Sequence, residues 1–494
     1  MIIRIEKNSS RPFYKQIMDG INMMIDQGAL PPGSPLPSSR RLAKTLGVNR
    51  FTVTRAYEEM EALGFLQSRP GSYTRVRKKR EGIPVSSRVR SLISWEKISS
   101  PEARNIYKTF LRFSPENPPL PLDQDVINIS QLNLDPRLYP LNNFRKCVLS
   151  VLRQPENNIL DYGCQQGNLL LRRAIAQRLQ THGINTSEDE ILITNGAQQA
   201  LDLVARLLSG QGTKIAVESP TYSIALPLFS FSGARLINIP FTDKGMDLGR
   251  LKHVLQREKV GFVYTIPNFH NPTGITTSPR HREDLYAVCA EYYAPLVEDG
   301  FEEDMKYFGK VPLPIKSIDS AGLVLYLGTF SKALFPGLRI GWIAADRECI
   351  GRLTAIKRFS DLSSSSFTQA VLYKFLEKGY YEKHLRRLHR IFRRRMHLAL
   401  ETMERYFPAC IEWTHPAGGY TIWVKMPSAL DEKELYTLMS RHKVVVSPGG
   451  YYFTQKIRSP YFRLSIAKTD EKEIEEGIKR AGRALMKQFE RKHP

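Results

Sequence analysis

In the stretch LGTFSKALFPGLRIGW, residues 327–342, Lys332 follows two small hydroxyl residues, Thr329 and Ser331, and precedes Arg339. A lysine amine attacks an aldehyde only when part of it is kept unprotonated, a condition that burial or neighbouring cations provide. The apolar run LVLYLG just before it reads as a buried strand and sets Lys332 at a strand end. Two hydroxyls and a guanidinium beside the amine are a fitting set for a phosphate group. The residue types together ask for an aldehyde that also carries a phosphate.

Pyridoxal 5′-phosphate (PLP) is such an aldehyde, held as a lysine imine with its ring nitrogen against an acid. The remaining parts of a PLP site can be found in order along the chain. TNGAQQAL gives a strand, a glycine turn and a helix start, whose free N–H groups at Ala197 and Gln198 face phosphate oxygens at the positive helix end. VESPTY sets Tyr222 just past a strand, where its ring can stack on the pyridine. IPNFHNPTG sets Asn271 at another strand end, with an amide for the ring hydroxyl, and PLVEDG sets Asp299 where a carboxylate can hold the pyridinium proton. Each lies just after an apolar run, where open α/β sheets bind ligands. Taken singly, a strand-end aspartate is often a helix cap, NPTG a turn, a Ser-Lys pair surface and a Tyr beside Pro packing. Five such features in order through one domain are hard to explain as accidents.

The elements that must position them are legible as alternation. Short apolar runs (EILIT, KIAVES, RLINIP, GFVYTIP, APLVED, LVLYLGTFS) alternate with amphipathic helices such as AQQALDLVARLLS and PRHREDLYAVCAEYY, which predicts an α/β domain with a mostly parallel sheet over residues 126–494. Residues 1–77 read differently. Phe13, Ile17, Ile21, Met24 and Ile25 recur at helical spacing, SSRRLAKTLG is a short helix from a serine cap to Gly47, and VNRFTVTRAYEEMEALG is a third helix from Asn49 to Gly64. FLQSRPGSYTRVR then gives two short strands about Pro70-Gly71. This is a winged helix-turn-helix, with Asn49, Arg50, Phe51, Thr52 and Thr54 at the start of the recognition helix, Arg50 suited to guanine, Arg40 to the backbone, and Arg69 and Gly71 on the wing. Residues 78–125, basic and then rich in Pro and Ser, read as a linker with one helix near residues 91–113.

At 494 residues two or three domains are expected. The net charge is +23, and residues 1–90 hold 17 Lys/Arg against 7 Asp/Glu, so +10 of it lies in under a fifth of the chain. That concentration favours nucleic acid at the N-terminal end. The five cysteines show no metal-ligand spacing, and no metal site is expected. The N-terminus has no signal-peptide run, and nothing approaches the roughly 20 apolar residues of a membrane span, so a soluble cytoplasmic protein without a membrane partner is the expectation.

The segment PFYKQ…YTRV, with LPSSRRLA followed by GVNRFTVTRAYEEMEALG, resembles the DNA-binding domain of GntR-type bacterial regulators. GTFSKALFPGLRIGW with NPTG resembles the fold-type I aminotransferases over about residues 125–494. That likeness implies that Lys332 forms the Schiff base, Arg339 and Thr329 bind phosphate, Asp299 pairs with the ring nitrogen, Asn271 bonds the ring hydroxyl and Tyr222 stacks. It further implies that Arg463, in SPYFRLSIA, grips an α-carboxylate, and that Tyr162, in DYGCQQG, is lent to the phosphate by the second subunit. The two parts joined resemble the MocR family: a winged helix-turn-helix (α+β) unit plus an α/β fold-type I PLP-dependent aminotransferase-like domain, in a homodimer often assembled head to tail that binds operator DNA. Two positions depart from the family. Phe301 stands where a tyrosine usually donates to the ring oxygen, which should raise the imine pKa, and Leu132 stands where many relatives have glycine near the substrate. Both argue against efficient turnover more than against cofactor binding. The first expectation is therefore a regulator with at most weak transaminase activity, its signal being PLP alone or an amino compound. The second is a working aminotransferase with an N-terminal extension. A third, a C-terminal domain that only dimerises, leaves Lys332 and Asp299 without purpose.

Overall fold

In the computed structural model, which describes residues 3–6, 9–68, 73–77, 94–113, 125–153, 159–309, 311–454 and 458–489, the chain divides into two units between Ile98 and Ser99. The first rests on three helices, α1 (Phe13–Asp26), α2 (Ser39–Leu46) and α3 (Arg50–Ala62). Ile17 and Ile21, one helical turn apart on α1, are fully buried in a core with Leu42, Val53, Ala56 and Met60. Ser38 caps α2 by accepting the Arg41 N–H, and Gly47 ends it at φ 64°, the left-handed conformation that glycine adopts without cost. Asn49 caps α3 through the Phe51 N–H. β1 (Leu66–Gln67) and β2 (Arg75–Val76) pair antiparallel as the expected hairpin. Arg69 and Gly71, assigned to its wing, lie outside the described residues.

The second unit opens with α4 (Pro101–Phe113), a helix within the stretch read as linker. Its central sheet comprises β3 (Ile191–Thr194), β4 (Lys214–Ser219), β5 (Arg235–Thr242), β6 (Gly245–Met246), β7 (Val260–Thr265), β8 (Leu296–Asp299), β9 (Val324–Thr329) and β10 (Gly341–Ala344), in the order β3-β10-β9-β8-β7-β4-β5-β6. From β9 across to β5 the neighbours run parallel, while β10 is antiparallel to both its neighbours and β6 to β5. β3, β8, β9 and β10 are buried at every residue, which is why they read as unbroken apolar runs rather than as alternation. Ile215, Val217, Val297 and Leu327 meet α5 (Ala197–Leu208) and α6 (Ala225–Phe231) on one face, and Ala216, Val263, Leu296 and Val324 form a separate core with Leu251 and Leu285.

The long helix α7 (Tyr380–Tyr406) leads from this layer to a four-stranded antiparallel sheet that includes Thr421–Leu430 and Ser459–Ser465. Its buried stripe, Leu388, Phe392, Met396, Ala399 and Met403, packs with Tyr420, Ile422, Phe462 and Leu464. The arrangement delivers the chemistry to one edge. Asp299 and Thr329 end two adjacent parallel strands, and Ala197, Tyr222, Asn271 and Lys332 follow the carboxyl ends of four strands of the sheet. Among the described residues no helix is long and apolar enough to cross a membrane, and no cluster of His, Cys, Asp and Glu could hold a metal ion.

Candidate cofactor site

Lys332 is half-buried, and its Nζ donates to the Leu132 carbonyl at 3.2 Å. The Tyr420 hydroxyl donates to the Lys332 carbonyl at 2.8 Å and fixes the backbone that carries the amine. Burial holds the Lys332 amine below the usual lysine range, opposed by the charges of Glu302 and Asp299. Leu132 thus meets the lysine through its main chain, while its side chain packs partly against the core around α7.

Asp299 is buried, and its register opposite Leu327 places it beside the strand that leads to Lys332. Its Oδ2 accepts the Tyr264 hydroxyl at 2.8 Å, and its Oδ1 has no partner. Burial pushes its pKa up to about 6, against the Tyr264 hydrogen bond, which lowers it. An unpaired buried carboxylate oxygen is costly, and the protonated nitrogen of a ring is a group that satisfies it. Phe301 is buried in the apolar core that also receives α5 and α6, with Tyr222 packed partly against the same core.

The helix start expected to face the phosphate is built by close backbone approach. Gly196, at φ 83°, starts α5 without a side-chain cap, so the first amides of the helix, at Ala197 and Gln198, are not taken up by one. A Cβ on Gly196 would stand 2.8 Å from Arg339 Nη2, and one on Gly341 would stand 2.9 Å from the Ala197 nitrogen. Arg339 donates to the Asn195 carbonyl at 2.7 Å and holds φ 52°, a conformation that arginine adopts only where its surroundings impose it. Thr329 Oγ1 accepts the Ser331 N–H at 3.1 Å, and the Tyr222 hydroxyl lies 3.5 Å from Gln198 Oε1. Lysine, carboxylate and anion cradle therefore share one sheet edge, and the set fits a phosphorylated pyridine aldehyde.

Beside them Arg463 is buried. It donates to Asn271 Oδ1 at 2.8 Å and to the Ser130 carbonyl at 2.6 Å, its guanidinium carbon is 5.2 Å from the centre of the Tyr452 ring, and its Nε has no partner. Asn271 is thus engaged with the arginine. Tyr162 is 79% exposed. Tyr264, Tyr420, Tyr452 and Glu302 were missed in the sequence. Tyr264 carried a faint signal, a polar tip inside an otherwise apolar strand.

In the first unit Arg40, Asn49 and Arg50 are exposed and Phe51 is 74% exposed, whereas Val53, Ala56 and Tyr57 turn inward. Thr52 and Thr54 are partly exposed, and Arg50 Nε reaches Ser39 Oγ at 3.4 Å, so the start of α3 meets the start of α2. The opening turn of α3 is free to enter a groove.

Residues 129–480 match the family described as aminotransferase class I and II, and residues 13–76 match the bacterial regulatory proteins of the gntR family. The HTH-type transcriptional regulator YdfD of Bacillus subtilis is 32% identical over 97% of this chain and 97% of its own. The multiple substrate aminotransferase of Thermococcus profundus superimposes with a TM-score of 0.75, at 32% identity over 81% of this chain and 100% of its own. The α-aminoadipate aminotransferase LysN of Thermus thermophilus, solved with N-(5′-phosphopyridoxyl)-L-leucine, does so with a TM-score of 0.74, at 29% identity over 81% of this chain and 100% of its own. These matches, end to end with a regulator and over the C-terminal unit with PLP enzymes, place the chain in the aminotransferase class I and II family, joined to a gntR-family DNA-binding domain as in the MocR-type transcriptional regulators.

Proposed function

We propose that this protein is a transcriptional regulator whose aminotransferase-like domain senses PLP, alone or with a carboxylate-bearing amino compound, and passes its state to the DNA-binding unit. One observation carries the reading: a recognition helix with its polar face open and a lysine–aspartate–arginine set at the sheet edge occur in the same chain. An enzyme has no use for the first, and a bare DNA-binding protein has none for the second. In this reading Lys332 links to the aldehyde carbon, Asp299 Oδ1 holds the ring nitrogen, and the amides of Ala197 and Gln198 with Thr329, Ser331 and Arg339 hold the phosphate. Tyr222 stacks on the ring, Asn271 bonds the ring hydroxyl and Arg463 receives the effector carboxylate. PLP supplies an electrophilic carbon that exchanges between the lysine and an incoming amine.

A homodimer is the assembly that fits. Leu160 and Phe359 are 82% and 91% exposed, and Leu141, Leu149, Leu152 and Leu170 are further exposed leucines of the same unit, side chains that a second copy of the chain would cover. Tyr162 lies in the same stretch as Leu160 and would reach the partner's phosphate in a head-to-tail pair. In this reading the signal runs from the site toward the linker. The Thr221 N–H, next to Tyr222, donates to the Tyr452 carbonyl at 2.9 Å, and Phe453 and Thr454 line a cavity of about 170 Å³ with Glu102, Asn105 and Ile106 of α4 and Leu226 of α6. A ligand that reorders the Arg463–Tyr452 contact thereby bears on the helix nearest the DNA-binding unit in sequence. It shifts the balance only by its difference in affinity for the two arrangements.

The testing experiment is footprinting of the gene's own upstream region at fixed salt, with apo protein, with PLP, and with PLP plus pooled amino acids. A footprint that changes in either loaded state supports the reading, and no specific footprint in any state overturns it. Arg50→Ala should weaken operator binding by about 1–3 kcal/mol, roughly 5- to 150-fold, and relax preference at one base pair. An operator affinity equal to wild type would remove Arg50 from the readout. The second reading, a working aminotransferase, is favoured by the intact Arg463. Sustained amino-group transfer to a keto acid at rates usual for enzymes would establish it.

A further inference from the structure

Four acids follow one another closely in EDGFEED besides Asp299, and three have assigned partners. Glu298 accepts the Ile315 and Lys316 N–H groups, each at 2.8 Å. Glu303 accepts Asn268 Nδ2 at 2.6 Å and pairs with Lys306, and Asp304 pairs with Arg178 and accepts the Tyr381 hydroxyl at 2.6 Å. Glu302 is different. It is 1% exposed, its Oε2 accepts the Tyr420 N–H at 3.1 Å, and its Oε1 has no partner. A Cβ on Gly419 would stand 2.6 Å from Oε2, so the main chain closes that side of the carboxylate.

Glu302 and Lys332 line the same enclosed cavity of about 20 Å³, and Tyr420 ties them together, donating its N–H to Glu302 and its hydroxyl to the Lys332 carbonyl. The other groups facing Glu302 are the cation Arg463, already bonded to Asn271 and Ser130, the carboxylate Asp299, and the hydroxyls of Tyr307 and Tyr420. The far wall of the cavity holds Arg178, His182, Glu303 and Asp304. His182 lies 3.6 Å from Glu303 and 3.7 Å from Asp304, and that group compensates itself. Among the described residues Lys332 is the cation that shares this cavity with Glu302 without an acid already paired to it.

We propose that Glu302 is the positioning carboxylate of Lys332: it stabilises positive charge on the lysine nitrogen, both as the unlinked ammonium and once that nitrogen is joined to the cofactor's aldehyde carbon. It rests on the reading that Lys332 carries PLP. Burial pushes the Glu302 carboxyl up and the Lys332 amine down, and in each case the charge of the other is the first to oppose the shift. Removing one member of a buried pair leaves the other charge uncompensated, which is costly. Phe301, which brings no hydroxyl to the ring oxygen, acts in the same sense, since nothing there favours loss of the proton from the nitrogen.

The sign is explicit. A nearby negative charge favours the protonated nitrogen, so removing it lowers the pH at which the proton leaves. The experiment is a pH titration of the absorbance of full-length protein loaded with PLP, for wild type, Glu302→Gln and Glu302→Asp, with borohydride trapping and peptide mapping of Lys332 in each. Glu302→Gln keeps an oxygen for the Tyr420 N–H and should move the midpoint down by about one pH unit or more. Glu302→Asp, which keeps the charge but withdraws it by one methylene, should move it less in the same direction and decides the matter if the Gln variant does not fold. A trapped Lys332 with an unmoved midpoint in the variants overturns the role of Glu302 alone. No trapped Lys332 in wild type overturns the cofactor reading on which it rests.

Discussion

Lys332→Ala removes the absorbance band that PLP acquires when held by the protein, and it weakens retention of the cofactor by about two orders of magnitude or more, roughly 3 kcal/mol. Two losses combine. The covalent link is gone, because alanine has no nitrogen, and the phosphate cradle and Asp299 must hold the ring by non-covalent contacts. The charge is gone as well, and Glu302 and Asp299 are left facing Arg463 as their remaining cation, so both carboxyls rise further above the usual carboxylate range than burial already holds them. Asp299 protonated offers no charge to a ring nitrogen. Absorbance after dialysis, with denatured protein as reference, reads the effect directly. Arg339→Ala is the control, since it removes a phosphate contact but not the nitrogen and should lower affinity while leaving the band in place at saturating PLP. A band that survives Lys332→Ala unchanged would assign the lysine wrongly. The same variant in footprinting should give the apo pattern whether or not PLP is added.

What the sequence disclosed follows from where the sheet delivers its ligands. Lys332, Asp299, Asn271, Tyr222 and Ala197 each come shortly after an apolar run, and a chain that alternates such runs with amphipathic helices can put their ends on only one edge. What it withheld needs distance in space. Tyr264 orients Asp299 only because β7 and β8 pair in a register that sets Tyr264 opposite Val297, and no local pattern fixes that register. Apart from Asp299, nothing local separates the acids of EDGFEED from one another. Only the fold shows that Asp304 is answered by Arg178, 126 residues away, and Glu303 by Asn268, leaving Glu302 to the lysine. Helix α4 was visible as a helix within a stretch read as spacer. Its attachment to α6 was not, because the surface that receives it is built by α6 itself, by Leu236 of β5 and by the segment at Phe453.

Arg463→Ala separates the two kinds of signal. The guanidinium is held by Asn271 Oδ1 and the Ser130 carbonyl with its Nε unpaired and buried, which leaves a donor for a carboxylate to satisfy. A charge-assisted contact of this kind contributes about 1.5–3 kcal/mol, so the variant should need roughly 10- to 150-fold more amino compound for a given change in operator binding. Its response to PLP alone should stay within a few-fold of wild type, because the cradle at Gly196, Arg339 and Thr329 lies apart from Arg463. Arg463→Lys should not rescue it, since an ammonium has no planar fork to serve the carboxylate, Asn271 and Ser130 together. Two titrations of operator binding, one against PLP and one against the amino compound at saturating PLP, read both effects in the same protein. Equal loss in both would mean that Arg463 holds the site together rather than reads a carboxylate. If the amino compound acts undiminished, the effector is recognised elsewhere, and the contact of Arg463 with Tyr452 is then its purpose, as the link from the cofactor edge to the cavity that seats α4.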